Sequence, residues 1–323
     1  MNQIKNGCLV ISLDFELLWG VFDQIILEEK GDYFQNTRLV IPQILDIFEH
    51  YNIHATWATV GMLFNKNWTE WESNIPENLP SYNNKDLSAY AYGEQINKNN
   101  SEAFCFASDL ISLISNTAGQ EIATHTYSHY YCQEPGQEAI QFKEDLLKAI
   151  EMAGKMNISL KSLVFPRNQI KKEFLKICFE LGILNVRSNP EAWYWKDATS
   201  NNFFTKLSRT GDAYFNFGKK SYSRNQIERK SGLPTLQMAS RFFRPVENSE
   251  FLRTQKLNRI LREMDVAAKN KELYHLWWHP HNFGDRPEES LKDLVIILEK
   301  YKSLNSKFGF QSFNMMEIGE LFS

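Results

Sequence analysis

The chain has 323 residues, of which 43% are hydrophobic and 23% are charged, and its 36 basic and 39 acidic side chains give a net charge of −3. This balance argues against intrinsic disorder and against a broad basic surface, so we expect no nucleic-acid partner. A chain of this length forms either about two domains or one α/β barrel, and it has enough apolar residues for a sizeable core.

No segment of the sequence predicts export or membrane insertion. The first apolar run begins at Cys8 and is interrupted by Asp14, so it is typical neither of a secretory signal nor of a membrane span. Cys8, Cys105, Cys132 and Cys178 contain no C-x-x-C pair and are predicted to be free thiols. Together these features predict a cytoplasmic protein without a transmembrane segment.

The first part of the chain has strand, helix, strand order. Cys8–Asp14 is an apolar run with branched residues and predicts a buried parallel strand, and the apolar residues of Thr37–Tyr51 have helical spacing. Ala55–Gly61 predicts the second strand and its turn. Asn65–Asn100 has no clean period and many aromatic and polar residues, so we expect an excursion that borders a substrate groove.

The same alternation continues to the end of the chain. Further strands are predicted at Glu121–Ala123, Ser159–Phe165, Ile183–Arg187 and Leu273–Trp278, and further helices at Asp109–Asn116, Glu138–Met156, Lys171–Leu181, Gln255–Lys269 and Glu288–Lys302. Residues 188–250 lack a clear period and are predicted to form a cap on one end of a single domain. Arg241 and Arg244 in this cap are candidates for binding an anionic group of a substrate, with surface salt bridges as the simpler interpretation.

Two acidic residues end the first predicted strand. Asp14 and Glu16 point to the same side if the chain stays extended, and two facing carboxylates repel each other unless a cation or a shared proton offsets the charge. His125 and His129 follow the third strand with an i, i+4 spacing that places both imidazoles on one side of a turn. Neutral imidazole is a common zinc ligand, although two surface histidines would show the same spacing.

Further polar residues follow the later strands. Arg167 comes after the fourth strand, and His279 and His281 come after the last one. In barrels built from β-α units the carboxyl ends of the strands meet at one rim, where active sites lie. Two histidines and one carboxylate leave an open position on a zinc-like ion, which is the catalytic arrangement, and the second carboxylate is then free to act as a base.

Five segments together resemble the ordered motifs of the polysaccharide deacetylase family, carbohydrate esterase family 4. They are Ser12-Leu13-Asp14-Phe15-Glu16, Ala55-Thr56-Trp57-Ala58-Thr59-Val60-Gly61, Gly119 through His129, Phe165-Pro166-Arg167-Asn168 and Trp278-His279-Pro280. The resemblance extends from the first strand to the last. It implies a distorted (β/α)7-type barrel and metal-dependent removal of an N- or O-acyl group from a sugar.

The resemblance also implies a metal site. His125 and His129 match the two metal-binding histidines of the family, and the acidic motif matches its base and its metal-binding carboxylate. We assign Asp14 as the base and Glu16 as the ligand, and the opposite assignment stays open because Phe15 separates two acids that are usually adjacent. The implied metal is Zn²⁺, with Co²⁺ or Ni²⁺ as alternatives.

Three more roles follow from the resemblance. Arg167 resembles the arginine that orients the base, although it follows the proline instead of preceding it, and His279 resembles the acid that protonates the departing amine. Trp277 stands where the family usually has leucine, which implies a different acyl pocket. His281 is either a neighbour of the site or only the residue after a proline turn.

The predicted substrate is an N-acylated sugar, or a sugar-linked precursor used in surface polysaccharide biosynthesis. A glycoside hydrolase that pairs Asp14 or Glu16 with another acid is an alternative, and it would need no metal at the histidines. A formamide or cyclic-amide hydrolase would keep the metal site and differ in the cap. A non-catalytic sugar-binding relative is the third alternative, against which the retained base, acid and histidines argue.

Overall fold

A computed structural model describes residues 5–196, 203–215 and 218–321 of the chain. In these ranges the strands are β1 (Cys8–Phe15), β2 (Ala55–Thr59), β3 (Gln120–Thr124), β4 (Ser162–Leu163), β5 (Asn185–Ser188), β6 (Thr235–Met238), β7 (Arg241–Phe242), β8 (Leu273–Trp278) and β9 (Gln311–Phe313). All of them join one sheet, and every pairing between these strands is parallel.

The sheet closes on itself. Its strand order is β6-β5-β4-β3-β2-β1-β8-β7, so the two ends of the sheet are strands that follow each other in the chain. The linking residues pair with both sides, since the Ala239 amide donates to the Ser188 carbonyl (2.8 Å) beside β5 and the Ser240 amide donates to the His275 carbonyl (2.9 Å) in β8. β6 and β7 therefore act as the two halves of one bent strand that links both edges of the sheet. The predicted distorted (β/α)7-type barrel is confirmed.

β6 and β7 lie within residues 188–250, which the sequence predicts as a cap. Thr235–Met238 and Arg241–Phe242 belong to the barrel wall, whereas α8 and α9 lie in the part of the segment outside it. Strands of four and two residues are too short to show an alternating pattern. Residues 197–202 and 216–217 of the predicted cap lie outside the described residues.

Helices cover the outside of the barrel. They are α1 (Gly31–Tyr51), α2 (Trp68–Ser73), α3 (Ala89–Ile96), α4 (Glu102–Cys105), α5 (Ser108–Asn116), α6 (Ala139–Lys155), α7 (Lys172–Glu180), α8 (Trp193–Lys196), α9 (Phe203–Gly211), α10 (Glu250–Asn270), α11 (Pro287–Phe308) and α12 (Met315–Leu321). The segment expected to be an excursion holds α2 and α3, and Trp68 and Trp71 from it pack against Trp19 in the core. α10 begins a turn earlier than predicted, because the Ser249 hydroxyl accepts from the Leu252 amide and caps the helix.

Alternation along β1 explains how the core and the site share one strand. Leu9, Ile11 and Leu13 belong to the large core cluster beneath the helices, whereas Val10 packs with the small residues of the neighbouring strands. Side chains of a strand point alternately to its two faces, so Asp14 shares the inner face with Val10. Asp14 is therefore anchored in a fully buried strand.

The cysteines agree with a further expectation. Cys8, Cys105, Cys132 and Cys178 are buried and unpaired, as predicted. Within the described ranges, the structure contains no helix whose length and hydropathy would suit a bilayer crossing.

Candidate metal centre and active site

The carboxyl ends of β1 and β3 bring a carboxylate and two imidazoles together. Oε2 of Glu16 lies 3.3 Å from Nε2 of His125 and 3.2 Å from Nε2 of His129. One potential ligand atom from each of the three residues lies within 4.8 Å of the others, and all three side chains are buried. Two ligands bound about 2.1 Å from a tetrahedral zinc ion are roughly 3.4 Å apart, so this spacing fits such an ion.

Charge supports the same conclusion about the metal. Glu16 is 3% exposed, and in the described part of the chain it has no Lys or Arg within ion-pair distance, only histidines. A buried carboxylate without a permanent positive partner is costly. Burial also lowers the pKa of His129, against the raising effect of Glu16, and so favours the neutral imidazole that metals bind.

Hydrogen bonds set the tautomer of one histidine. Nδ1 of His125 lies 2.8 Å from the Val164 carbonyl oxygen, which can only accept, so Nδ1 carries the proton. Nε2 of the neutral ring then has a free lone pair directed toward Glu16. A carbonyl that orients a histidine through its second nitrogen is the usual support of a metal ligand.

The loop between the two histidines is held by a buried aspartate of α6. Asp145 accepts hydrogen bonds from the amides of Tyr127 (2.6 Å) and Ser128 (3.1 Å) and from the Ser128 hydroxyl. Burial raises the pKa of Asp145 to about 6, despite these hydrogen bonds. This carboxylate supplies the loop with acceptors that a helix or strand would otherwise provide, and it keeps His125 and His129 in register.

Left-handed backbone conformations cluster around the site. Non-glycine residues with positive φ include Leu17 after the acidic motif, Thr126 and His129 in the histidine loop, and Arg167 and Asn168 after β4. Each such residue other than asparagine costs on the order of 1–2 kcal/mol, and strain of this kind persists where the surroundings impose it, often at functional sites.

Asp14 has a different environment from Glu16. It is 2% exposed, and its two carboxylate oxygens each accept a hydrogen bond of 2.7 Å from Arg187 of β5. Arg187 also donates to the Ser12 hydroxyl (3.0 Å) and to Asn168 (3.1 Å). Its guanidinium lies 4.3 Å from the ring centre of Trp277, so the aromatic residue at the expected leucine position covers the arginine that holds Asp14.

The structure places Arg167, predicted to orient the base, away from Asp14. The Arg167 guanidinium pairs with Asp23 and lies over the Tyr131 ring, 4.2 Å from its centre. The contact to Asp14 comes instead from Arg187, on the next strand. Arg167 lies in the tight turn after β4, where its φ is 53°, and its side chain reaches Asp23 from this turn.

His279 lies between the two carboxylates. Its Nε2 is 3.7 Å from Oδ2 of Asp14 and 3.7 Å from Oε1 of Glu16, and its side chain is 23% exposed. The predicted convergence of Asp14 and Glu16 on one side is therefore confirmed. His281 stacks on His279 with ring centres 4.9 Å apart, and its Nδ1 lies 3.8 Å from Glu16, so it is a neighbour of the site.

Both acids are held in the charged form. Burial acts to raise the pKa of Asp14, but the positive charge of Arg187, with His125 and His279, outweighs it and leaves the pKa below its ordinary value. Burial acts in the same way on Glu16, and the surrounding histidines hold its pKa well below the usual range. Neither carboxyl is therefore prepared to donate a proton.

Sequence reasoning missed Arg187, Ser12 and His275. Ser12 lies on the same face of β1 as Asp14, and its hydroxyl is 2.8 Å from Nε2 of the buried His275. Burial and the nearby Arg187 lower the pKa of His275 to about 3, so it stays neutral. An arginine inside a predicted buried strand was the available signal, since such a charge needs a partner.

Comparisons with solved structures agree with the fold. A putative polysaccharide deacetylase from Mycobacterium smegmatis is similar with a TM-score of 0.60 and 12% identity, over 99% of this chain and 92% of that chain. The Puue allantoinase has a TM-score of 0.55 and 12% identity, over 98% and 89%. A GH57-type branching enzyme from the hyperthermophilic archaeon Pyrococcus horikoshii has a TM-score of 0.56 and 10% identity, over 98% and 70%. These likenesses show the fold and leave the reaction open.

The family is shown by the sequence itself. No curated protein sequence matches the chain. The family model described as polysaccharide deacetylase, however, matches residues 22–186, which is just over half of the 323 residues. The matched segment contains His125, His129 and the Asp145 that supports their loop. The chain belongs to the polysaccharide deacetylase family.

Proposed function

We propose that this protein is a metal-dependent hydrolase that removes an N-acetyl group, or another N- or O-acyl group, from a sugar or polysaccharide precursor. The observation that carries the proposal is the pair of contacts from Glu16 to His125 and His129, made beside an aspartate that Arg187 keeps ionised. Glu16 and the two histidines would hold the metal, most simply Zn²⁺, with Co²⁺ or Ni²⁺ as alternatives. When bound, such an ion supplies Lewis acidity to an acyl carbonyl.

The two remaining groups divide the proton transfers. Asp14 is anionic and has both oxygens fixed by Arg187, so it acts as the base that takes a proton from the attacking water. His279 is the most exposed of the site histidines described above, and its Nε2 faces both acids, which suits it to protonate the leaving amine. Arg187, in place of Arg167, is then the residue that orients the base.

The same observations weigh against a glycoside hydrolase. That reaction needs one carboxylic acid with a raised pKa to protonate the leaving oxygen. Both carboxyls here have lowered pKa values, and Glu16 is surrounded by histidines. A cyclic-amide hydrolase would use the same metal site, so substrates of that class belong in the test. The cytoplasmic location and the role in surface polysaccharide biosynthesis stay predictions from the sequence.

The test combines metal content with a substrate panel. Wild type and a His125→Ala/His129→Ala variant are analysed for zinc, cobalt and nickel, beside His50→Ala, which removes an exposed histidine outside the site. Release of free amine is then followed from N-acetylated sugars. Allantoin serves as the cyclic amide, and its hydrolysis is followed by the loss of allantoin, because opening its ring gives a carboxylate and a ureido group instead of a free amine. Near-stoichiometric metal and amine release, both lost only in the double variant, support the proposal. Wild-type protein that neither binds metal nor turns over an acylated sugar after metal addition refutes it.

A further inference from the structure

Two arginines of the segment after α9 were candidates for binding an anionic group, and the structure separates them. Arg241 is buried, and its guanidinium donates to both carboxylate oxygens of Glu263, at 2.7 and 2.6 Å, and to the carbonyl of Asp212. Oδ1 of the Asp212 carboxylate lies 3.6 Å from Nη2 of Arg241. The charge of Arg241 is therefore balanced within the protein, and this arginine is part of the framework.

Arg244 is placed differently. It is half-buried, and within the described ranges no carboxylate lies at ion-pair distance from its guanidinium. The hydrogen bond that the structure gives its side chain runs to the backbone carbonyl of Arg209 (2.8 Å). The nearby Glu247 accepts from the Tyr214 hydroxyl instead. Burial lowers the pKa of Arg244, although the charges of Glu247 and Asp212 act to raise it. An arginine stays charged at neutral pH, so this partly buried cation has carboxylates in its surroundings but no direct ion pair with a described residue.

Aromatic contacts connect Arg244 to the candidate active site. Its guanidinium carbon lies 5.9 Å from the ring centre of Phe242. The same ring lies 5.6 Å from the ring of His279 and 4.5 Å from that of Trp277. Trp277 in turn covers Arg187, which holds Asp14. Phe242 thus lies beside both the Arg244 guanidinium and the histidine proposed as the acid.

Arg244, Phe242, Trp277 and Trp195 line one narrow cleft, together with the ion-paired Arg241 and Asp212. The cleft encloses about 10 Å³, which is room for roughly one water-sized group. A sugar ring does not fit inside it. One oxygen of a carboxylate or phosphate fits, with the sugar lying outside against the aromatic rings.

We infer that Arg244 binds an acidic substituent of the substrate, so that the protein selects acylated sugars that carry a carboxylate or a phosphate over neutral ones. This inference rests on the proposed deacylase function and names its substrate class. The shared chemistry of both substituents is an oxyanion that can pair with a guanidinium. Arg244 acts here as a specificity-determining residue and takes no part in the proton transfers.

The experiment compares matched substrates on metal-loaded protein. The specificity constant kcat/KM is measured for N-acetylglucosamine 1-phosphate, for N-acetylmuramic acid and for the neutral methyl glycoside of N-acetylglucosamine. Wild type is compared with Arg244→Gln, with Arg244→Lys and with Arg229→Gln, which removes an exposed arginine away from the cleft. The phosphate and carboxylate arms show which acidic group the cleft takes.

For Arg244→Gln we expect kcat/KM on the preferred anionic substrate to fall about 10- to 100-fold, the range for a lost charge-assisted hydrogen bond. The value for the neutral sugar should stay within about 2-fold, Arg244→Lys should recover part of the loss, and Arg229→Gln should match wild type. Equal losses on charged and neutral substrates, or a wild type without preference for either anion, overturn the inference.

A binding measurement separates this inference from the proposed function. Calorimetric titration with glucosamine 1-phosphate and with muramic acid requires no turnover. Binding of either anion by wild type that weakens at least about 10-fold in Arg244→Gln supports the anion site, even if no acylated sugar is hydrolysed and the deacylase proposal fails. Binding of both anions that is unchanged in the variant, or absent from wild type, overturns the inference whatever the activity.

Discussion

The contact between Arg187 and Asp14 should be one of the main determinants of stability at the site. Both side chains are almost fully buried, and two hydrogen bonds of 2.7 Å join them. Replacing Arg187 with methionine removes the guanidinium, keeps an unbranched side chain and leaves Asp14 ionised without a fixed partner. Breaking a buried pair in this way costs roughly 3–5 kcal/mol of unfolding free energy. Two charge-assisted hydrogen bonds at about 1.5–3 kcal/mol each give a similar figure.

A double-mutant cycle isolates the pair from the rest of the site. Asp14→Asn should also be destabilising, because it leaves the Arg187 charge buried without a carboxylate. The combined variant should lose less than the sum of the two single losses, by about 2 kcal/mol, since residues in direct contact couple by amounts of this order. Ser12 and Asn168 also contact Arg187, so part of the loss should remain outside the cycle.

Arg38→Met provides the matched control. Arg38 also pairs with one aspartate: its Nη2 donates to both carboxylate oxygens of Asp109, at 2.9 and 2.7 Å, but the Asp109 side chain is 65% exposed. An exposed pair contributes at most about 1 kcal/mol, because water screens it. Arg38 also donates to the carbonyls of Ala103 (3.3 Å) and Phe106 (2.8 Å), so its variant, like Arg187→Met, loses hydrogen bonds beyond the ion pair. The difference between the two losses therefore compares a buried arginine pair with a largely exposed one.

The assay is equilibrium unfolding in urea, followed by tryptophan fluorescence and far-UV circular dichroism. A chelator is present throughout, so that metal binding does not add to the stability of the folded state. Losses are compared only between variants with equal m-values. The reasoning is refuted if Arg187→Met costs no more than Arg38→Met, or if the Arg187 and Asp14 losses are simply additive.

The remaining predictions concern metal binding by Glu16, the pH dependence of stability and the role of Arg167. Glu16→Gln should weaken zinc affinity by more than about 100-fold, because even the loss of a residue that only hydrogen-bonds a metal ligand costs about 10- to 100-fold. Calorimetric titration of metal-free protein checks this, and unchanged affinity would show that Glu16 is not a ligand. Asp145 has a folded-state pKa of about 6, above its ordinary value, so between these two values the folded state binds more protons than the unfolded state. The unfolding free energy of wild type should therefore fall as pH rises through roughly 4 to 6, by up to about 1.4 kcal/mol per pH unit. In urea titrations Asp145→Asn should lack this component, and identical pH profiles would contradict the assignment. Arg167→Gln should reduce kcat/KM far less than Arg187→Met in the amine-release assay, since Arg167 contacts Asp23 and not Asp14. Equal losses in the two variants would support Arg167 as the residue that orients the base.

Local sequence patterns were sufficient for much of the fold and for the metal cluster. The apolar run of β1 ends in Asp14, and alternation along it predicts the side on which Asp14 and Glu16 meet. The i, i+4 spacing of His125 and His129 predicts two imidazoles on one side of a turn. These inferences hold because period and spacing act over a few residues, within one strand or one loop.

The partner of Asp14 could not be obtained in this way. Arg187 is 173 positions away in the chain, and the sequence shows only that it ends a predicted strand. Arg167 also follows a strand, and its motif made it the natural candidate. Which arginine reaches Asp14 depends on the turn after β4, on Asp23 as a competing partner and on the width of the closed barrel.

The sequence by itself determined the alternation of strands and helices from β1 to β5, the last long strand β8, and the residues able to bind a metal, but not the short strands β6, β7 and β9. Only the tertiary structure decided that β6 and β7 act as one bent strand and that Arg187 holds Asp14. It also decided that Arg241 forms an ion pair with Glu263, whereas Arg244 forms none with a described residue. The physical reason is that side-chain direction is a local property, whereas the pairing of buried charges depends on which distant strands the closing barrel brings together.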